Sequence, residues 1–377
     1  MALAVLAGGC LPPRPFDEQA WRGQVRSATV ADLYAPHQDS QGRFFNPWQP
    51  RERSWGDLLY WLLSRNSLGD QGQSAPAVPV LANDGAQLAD ATANASDIAG
   101  NLGQEPPDQA RTTTPTDPLS PSPGHRAVTW IGHATFAVQL GGPPVITDPF
   151  FGDRAGPVRR RTPPAFGPEK VPAGAVALIS HNHYDHLDAP SVAALGGRVI
   201  FLCPLGLGEL LSEMGARQVH ELDWWQSLTI EGTTFTCLPA QHWSLRLGQA
   251  YNRSLWCSWL LERHGRRVFF SGDSGYFIGY REIGRRYPGI DAALISVGAY
   301  LPRWFMHYAH MDPAEALAAA RDLGAKRLVP GHWGALQLGD EPISWLPGDL
   351  ARAGQGRPPG ANPRVTILPV GGSLTLE

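Results

Sequence analysis

The sequence predicts a layered α/β domain over residues 125–377, preceded by an N-terminal extension. Two observations carry this prediction. Short runs of β-branched and other apolar residues recur from Arg126 onward, each followed by a polar loop, and such runs are typical of strands. Helical patterns lie between several of these runs, and the alternation indicates sheets covered by helices. The predicted strands are residues 127–131, 144–147, 175–180, 198–202, 233–238, 267–271, 291–296 and 327–330.

Two helices of this domain are predicted between the strands. Asp312 stands directly before Pro313, and Glu315 follows shortly after. This order combines an N-cap residue, a proline at the first helical position and an acid in the first turn. A second helix is predicted over residues 207–214.

Residues 14–66 form an aromatic-rich segment that we expect to pack on the core of the domain. Residues 54–65 place apolar side chains at positions 55, 58, 59, 62 and 63, the spacing of a helix with one broad apolar face. We favour a helix whose apolar face docks on the main domain. The alternative is a face that meets acyl chains or a membrane interface.

Residues 67–124 are rich in small and polar residues and in proline, with few large apolar side chains. Such a segment cannot bury enough apolar surface to offset the entropy that it would lose on ordering. We therefore predict a disordered linker between the aromatic-rich segment and the domain.

The N-terminus ends a short apolar stretch in Ala7-Gly-Gly-Cys10, which resembles the end of a bacterial lipoprotein signal. No Lys or Arg precedes the stretch, so a plain apolar N-terminus is the alternative. We favour a signal remnant over residues 1–13 with Cys10 lipidated, and hence an anchor in the bacterial envelope. A cytoplasmic location follows otherwise. The remaining cysteines form no CxxC pair and lie in or beside apolar stretches, so we expect buried thiols at Cys203, Cys237 and Cys257.

The charge balance excludes one class of partner. With a formal net charge of -3, the chain lacks the basic excess that nucleic-acid phosphates require. One short basic run, residues 159–161, is typical of a solvated loop, and anionic lipid headgroups are an alternative partner for it. No apolar run reaches the roughly 18 residues of a membrane span, so no transmembrane helix is expected.

A crowded polar motif, His181-Asn-His183-Tyr-Asp185-His186, directly follows the predicted strand 175–180. The four potential ligands cannot share one helical face, but on a tight loop at a strand end they can converge. Zinc accepts histidine nitrogen and carboxylate oxygen, and catalytic sites usually take three protein ligands plus water. Four such groups exceed the need of one site, and burying them would be costly without a cation. The motif therefore predicts a metal centre with ligands for two ions.

Three further candidates stand just past other apolar strands. They are His242, Asp273 and His332, and the last two lie beside glycine. Ligands of α/β sheets gather at the carboxyl ends of strands, so we expect these side chains to join the loop of residues 181–186.

This set resembles the HxHxDH signature of the metallo-β-lactamase superfamily, which is followed by His, Asp and His at strand ends. Other runs are similar to the N-acylphosphatidylethanolamine-hydrolysing phospholipases D and their bacterial relatives within that superfamily. The resemblance implies a metallo-β-lactamase-type αββα four-layer sandwich. The matching runs are residues 44–48, 130–135, 147–150, 180–188, 272–276 and 300–306.

The resemblance also implies two Zn²⁺ or other divalent metal ions. It assigns His181, His183 and His242 to the first ion, Asp185, His186 and His332 to the second, and Asp273 to a bridge between them. Catalytic roles fall to Asp273 and His310, the latter near the substrate phosphate. Asp148 and His133 would orient ligands through hydrogen bonds, although ordinary turn chemistry is an alternative for His133.

A phosphodiesterase of phospholipase D type is the implied function, acting on N-acylphosphatidylethanolamine-like lipids through a hydroxide that bridges the metals. Ala309 departs from the family, whose phospholipases carry Gln there, and this leaves the exact substrate open. One alternative is a lactone or other ester hydrolase of the same fold. Another is a non-catalytic lipid-binding lipoprotein. The expected partners are a phospholipid or another small phosphodiester or ester, with membrane-surface association and no nucleic acid.

Overall fold

Two mixed β-sheets lie at the centre of the computed structural model, which describes residues 12, 14–49, 55–64, 78–81, 126–358 and 360–376. Each sheet has seven strands within this part of the chain. The strands are β1 Arg126–Gly132, β2 Thr135–Leu140, β3 Val145–Thr147, β4 Arg154–Ala155, β5 Val158–Arg159, β6 Val176–Leu178, β7 Ile200–Pro204, β8 Gln218–Leu222, β9 Ser227–Ile230, β10 Thr233–Leu238, β11 Ser258–Arg263, β12 Arg266–Phe270, β13 Ala292–Ser296, β14 Arg327–Gly331, β15 Arg364–Val365 and β16 Ser373–Thr375.

The two sheets follow the same plan across their width. The first has the order β16-β1-β2-β3-β6-β7-β8, the second has the order β15-β14-β13-β12-β11-β10-β9, and β4 pairs with β5 as a separate hairpin. Pairing is parallel from β3 to β8 in the first sheet and from β12 to β15 in the second. The carboxyl ends of the parallel strands therefore share one edge in each sheet, which is where α/β folds place their sites.

Helices cover the outer face of each sheet. Val192 and Leu211, from helices that follow β6 and β7, pack on the first sheet. Ile283, Leu317 and Leu350 belong to the core on the side of the second sheet. The resulting layers confirm the predicted αββα sandwich. The helices are α1 Glu18–Ser27, α2 Trp55–Ser64, α3 Ala189–Leu195, α4 Gly208–Glu213, α5 Gly279–Arg286, α6 Arg303–Met306, α7 Pro313–Asp322 and α8 Leu346–Ala353.

Strand β6 is buried on both faces, and its unbroken apolar sequence explains why. Val176 and Leu178 pack between the two sheets, whereas Ala177 and Ile179 face the helices of the outer layer. Successive side chains of a strand point to opposite faces, so a sheet between two apolar layers needs an unbroken apolar run. The run places the polar loop that begins at His181 directly at the edge of the sandwich.

Local sequence signals predicted eight of the sixteen strands that the structure describes in the domain, and two of its six helices. All eight predicted strands are present, with ends shifted by at most two residues. The side chain of Asp312 accepts a hydrogen bond from the amide of Glu315 at 2.8 Å, which caps α7 as predicted. Helix α4 falls within the predicted range 207–214. The three cysteines of the domain are buried thiols, as expected.

Helix α2 docks on the domain through only part of the predicted face, since Leu58 packs there whereas three leucines of that face do not. Its buried residue is Trp61, which stacks on Phe305 with ring centroids 4.8 Å apart. Leu59, Leu62 and Leu63, which belong to the predicted apolar face, are exposed. The predicted face was therefore correct at Leu58 and wrong at the three exposed leucines, because the packed face is centred on the stacking of Trp61.

The predicted linker is interrupted by a short segment packed on the domain. Residues 78–81 lie against the end of the chain, where the amide of Leu81 donates to the carbonyl of Val370 at 2.7 Å. The prediction of disorder over all of residues 67–124 was therefore wrong at these four, which form a small apolar run. The rest of that range lies outside the described residues, as do residues 1–11 with Cys10. Among the described residues, no helix is both long and apolar enough to span a membrane.

Candidate metal centre

The seven predicted ligands meet at the carboxyl ends of strands from both sheets. The loop after β6 carries four of them, and the loops after β10, β12 and β14 carry His242, Asp273 and His332. Their nitrogen and oxygen atoms form overlapping groups, and within each group the candidate ligand atoms lie within 4.8 Å of one another. The structure therefore brings together all seven residues that the sequence selected.

The first group contains three histidines. Nε2 of His181 lies 2.9 Å from Nδ1 of His183, and Nε2 of His242 lies 3.2 Å from the same Nδ1. His181 and His242 are buried, and His183 is partly exposed. Three imidazole nitrogens that face one point are the ligand set of a catalytic zinc site.

The second group combines imidazoles with carboxylates. Oδ2 of Asp273 lies 3.1 Å from Nε2 of His186 and 3.1 Å from Nε2 of His332. Oδ2 of Asp185 lies 3.3 Å from each of the same two nitrogens. Asp273 also groups with His181 of the first set. The carboxylate of Asp273 thus lies where the two groups meet, the position that a bridging ligand requires.

Asp148 supports the ligand loop, residues 181–186, through hydrogen bonds. Its Oδ2 accepts hydrogen bonds from Nδ1 of His186 and from the hydroxyl of Ser180, both at 2.6 Å, and its Oδ1 accepts from the amide of Ser180 at 2.7 Å. Because the Ser180 hydroxyl donates to Asp148, its oxygen can accept from Nδ1 of His181, 2.9 Å away. One carboxylate therefore orients a histidine of each group, with Nε2 directed to the centre.

Two further contacts orient ligands. Nδ1 of His242 lies 3.2 Å from the carbonyl oxygen of Ala309 and donates to it, which leaves Nε2 as the acceptor nitrogen. Nε2 of His133 lies 2.9 Å from Oδ2 of Asp185, at a position predicted to support the ligands. His133 is also close enough to group with Asp185, His186 and His332 as a potential ligand.

The backbone adopts strained conformations around the centre. His133, Asp148 and His332 have φ angles of 54°, 32° and 68°, values that non-glycine residues rarely adopt. Such conformations persist where the surrounding structure enforces them, and they cluster at functional sites. Gly298 allows one of them, because a Cβ atom there would lie 2.2 Å from the carbonyl oxygen of His332.

The two groups differ in charge. Burial lowers the pKa of His181 and of His242 well below the usual histidine value, and neighbouring histidines add to the effect. Burial also disfavours charge on His332, but the carboxylates of Asp273 and Asp185 outweigh it and raise the pKa of His332 to about 9. The first group therefore offers neutral imidazoles, whereas in the second group protons offset the negative carboxylates.

These residues fit divalent metal ions. Oδ1 of Asp273 is buried and has no hydrogen-bond partner among the described residues. An unpaired buried carboxylate oxygen is costly, and a cation would satisfy it. Cations would also take the place of the protons that compensate the carboxylates of the second group. Imidazole nitrogen and carboxylate oxygen together are the ligand chemistry of zinc and related ions.

His310 stands at the edge of the centre. Its Nδ1 lies 3.8 Å from Oδ2 of Asp273, and its side chain is 16% exposed. Arg303 donates to the carbonyl oxygen of His310 at 3.3 Å and forms an ion pair with Glu315 at 2.8 Å. Sequence analysis missed Ser180 and Arg303 as supporting residues. Both lie within the matching runs, but nothing local showed where a hydroxyl or a guanidinium would point.

Known proteins are similar to this chain over the range that contains the candidate ligands. The model of the Beta-lactamase superfamily domain matches residues 144–333, about half of the chain, and that range contains all seven candidate ligands. An uncharacterised protein of Mycobacterium tuberculosis (strain ATCC 25618 / H37Rv) is 40% identical over 228 residues, covering 57% of this chain and 60% of that protein. N-acyl-phosphatidylethanolamine-hydrolyzing phospholipase D 1 of Caenorhabditis elegans is 38% identical over 230 residues, covering 56% of this chain and 64% of that protein.

The chain thus spans about three fifths of the length of these curated relatives. Among solved structures, a possible metal-dependent hydrolase from Veillonella parvula DSM 2008 superposes with a TM-score of 0.55 at 15% sequence identity. The match covers 67% of this chain and 100% of that one, and it shows a shared fold. By its family match and its two-sheet architecture, the chain belongs to the beta-lactamase superfamily and has the metallo-β-lactamase fold that its sequence predicted.

Proposed function

We propose that this protein is a metal-dependent hydrolase that cleaves phosphodiesters in the manner of phospholipase D, with N-acylphosphatidylethanolamine-like lipids as substrates. One observation carries the proposal: two groups of ligands meet at Asp273, and His310 stands at their edge. The name of the 38% identical relative from Caenorhabditis elegans supports the choice of lipid.

The candidate ligands form two sets, one for each of two proposed ions. His181, His183 and His242 would hold one, and Asp185, His186 and His332 would hold the other, with Asp273 facing both. When bound there, two divalent ions would supply positive charge to phosphoryl oxygens and a source of hydroxide near neutral pH. In the metal-free protein burial raises the pKa of Asp273, but His186 and His332 outweigh it and hold that pKa well below the usual value, so the carboxylate is ionised.

His310 is the side chain placed to contact the substrate. A ring N–H can donate to a phosphoryl oxygen, and Arg303 holds the backbone of His310 in place. In the proposed reaction, water adds its oxygen to phosphorus and the bond from phosphorus to the ethanolamine oxygen breaks. The leaving alkoxide takes the proton that water gives up. The products are phosphatidic acid and an N-acylethanolamine.

Two aromatic side chains beside the centre, Trp243 and Tyr251, support a lipid substrate. The ring centroid of Trp243 lies 4.4 Å from that of His183 and 6.1 Å from that of Tyr251. All three side chains are partly exposed. Apolar rings next to a polar centre suit a molecule whose charged phosphate carries long hydrocarbon chains.

The test is hydrolysis of N-acylphosphatidylethanolamine in mixed micelles by the zinc-loaded chain, with both products measured by mass spectrometry. His183→Ala should abolish the reaction. His220→Ala, which removes an exposed histidine of β8, should leave it unchanged. Ala309→Gln restores the family residue, and an increase in rate would tie this position to the choice of substrate.

The outcomes separate the competing functions. A metal-loaded protein that hydrolyses no phosphodiester would overturn the proposal. Hydrolysis of lactones or carboxylic esters in its place would point to the ester-hydrolase alternative.

A further inference from the structure

Leu247 is the most exposed large apolar side chain among the described residues, at 91%. It lies at the tip of a tight turn in which Arg246 and Gln249 form an isolated β-bridge. The turn follows His242 by a few residues, so the tip belongs to the loop that carries a ligand of the metal centre. Exposed apolar surface beside a site is typical of a surface that meets a partner or a membrane.

The turn is held firmly, so the exposure of Leu247 is built into the fold. The guanidinium of Arg246 donates to the carbonyl oxygens of Asn182 and Leu187 at 3.1 and 2.7 Å. The side chain of Gln249 donates to the carbonyl oxygen of Gly206 at 2.9 Å. Polar contacts on both sides of Leu247 thus anchor the turn to the domain and leave the leucine side chain outside.

Tyr184 joins this turn to the edge of the metal centre. It stands between the ligands His183 and Asp185 and is 37% exposed. Its hydroxyl accepts a hydrogen bond from the amide of Leu247 at 3.2 Å, and the guanidinium of Arg246 lies 4.1 Å from its ring centroid. Leu247 is therefore tied through its backbone to an exposed aromatic residue next to the ligands, and we call these two residues the rim.

A cationic hairpin adjoins the same tyrosine. A Cβ atom added to Gly156, in the turn between β4 and β5, would lie 3.8 Å from Cδ2 of Tyr184. Arg154 and Arg159 pair across this hairpin, and both are exposed. Tyr184 thus contacts both the turn with the apolar tip and the cationic hairpin.

We infer that Leu247, Tyr184, Arg154 and Arg159 form a docking surface that seats the metal centre on an anionic phospholipid bilayer. Leucine enters the boundary between headgroups and acyl chains, and the arginines face lipid phosphates, the pattern of an interfacial anchor. The inference rests on the proposed function only for its choice of a lipid partner. Helix α2 also exposes leucines, but it is flanked by residues 50–54 and 65–77, outside the described part of the chain, so nothing in the structure shows what covers them.

The test is co-sedimentation of the zinc-loaded full chain with phosphatidylcholine vesicles, with and without phosphatidylglycerol. Leu247→Ser should weaken partitioning onto both kinds of vesicle by about tenfold, which corresponds to the free energy gained when one leucine side chain leaves water. Arg154→Gln and Arg159→Gln should each weaken it by about fivefold, and only on vesicles that contain phosphatidylglycerol. Leu59→Ser, at another leucine with 58% exposure, should leave partitioning unchanged.

Zinc content and the midpoint of thermal unfolding should match the wild type in all four variants, which excludes misfolding. Wild-type protein that binds neither vesicle, or Leu247→Ser that partitions like the wild type, would overturn the inference. So would loss of partitioning in Leu59→Ser alone, since it would transfer the surface to α2. Partitioning is measured without turnover, so a protein that docks through Leu247 but hydrolyses no phosphodiester would refute the proposed function only.

Discussion

Replacement of Asp148 by asparagine should weaken both metal sites, although Asp148 belongs to neither set of ligands. The carboxylate accepts three hydrogen bonds, one from His186 and two from Ser180, and the Ser180 hydroxyl in turn supports His181. An asparagine side chain presents an NH₂ group at one of the two oxygen positions. At the position of Oδ2 the NH₂ group faces the donors of His186 and Ser180. At the position of Oδ1 it faces the amide of Ser180 and leaves an uncharged oxygen, which is a weaker acceptor, for the other two bonds, so the ligand histidines are held less firmly in either rotamer.

The size of the effect follows from these contacts. Loss of a partner that orients a metal ligand typically costs 10–100-fold in affinity, which is about 1.4–2.7 kcal/mol. The loss of affinity at the site of His186 should lie near the upper end of this range, because the hydrogen bond from His186 to Asp148 is direct and 2.6 Å long. The loss at the site of His181 should lie near the lower end, because Asp148 supports His181 only through the hydroxyl of Ser180. Ser180→Ala should affect mainly the site of His181.

Competition with a chromophoric zinc chelator measures the two affinities in the purified chain. Asp291→Asn is the matched control: Asp291 is also buried, and it accepts hydrogen bonds from Lys326 and from the amide of Arg267 at 2.7 and 3.0 Å. It precedes β13, at the end of the strand away from the metal centre. This variant should lose stability and keep its zinc affinity. If Asp148→Asn bound both zinc ions as tightly as the wild type, the proposed orientation of the ligands would be refuted.

Metal analysis should find about one ion per chain in His183→Ala and less in Asp273→Ala, because Asp273 faces both groups; two ions in Asp273→Ala would contradict a bridging role. Burial raises the pKa of Glu341 from 4.5 to about 7, so its stabilising effect is present below the unfolded value and is lost as pH rises through 7. Relative to Glu341→Gln, the unfolding free energy of metal-free wild type should therefore fall by up to about 3 kcal/mol over that range, and parallel pH profiles would refute this. Arg303→Ala breaks a buried ion-pair cluster and should cost about 3 kcal/mol in urea unfolding, against less than about 1 kcal/mol for Arg281→Ala at an exposed pair; equal costs would contradict the assignment.

Sequence analysis located the site because its signals are local. Four candidate ligands stand within six residues after an apolar strand, and each of the other three follows a strand of its own. Apolar runs of strand length identified the sheets, and the N-cap at Asp312 marked the start of α7. Periodicity was only partly correct for α2, where Leu58 of the predicted face packs on the domain but the buried face is centred on Trp61, which stacks on Phe305. A periodic pattern shows that a face is apolar, but not which neighbour will cover it.

By itself, the sequence determined which residue types stand at the ends of which strands, since strand formation and capping depend on neighbours along the chain. Only the tertiary structure decided the contacts between distant residues: the ring of His133 beside Asp185, the carbonyl of Ala309 behind His242, and the amide of Leu247 on Tyr184. Those contacts depend on the packing of two sheets and on side-chain directions, which no local pattern encodes. The same packing leaves Leu247 outside while it buries the ligands only a few residues away.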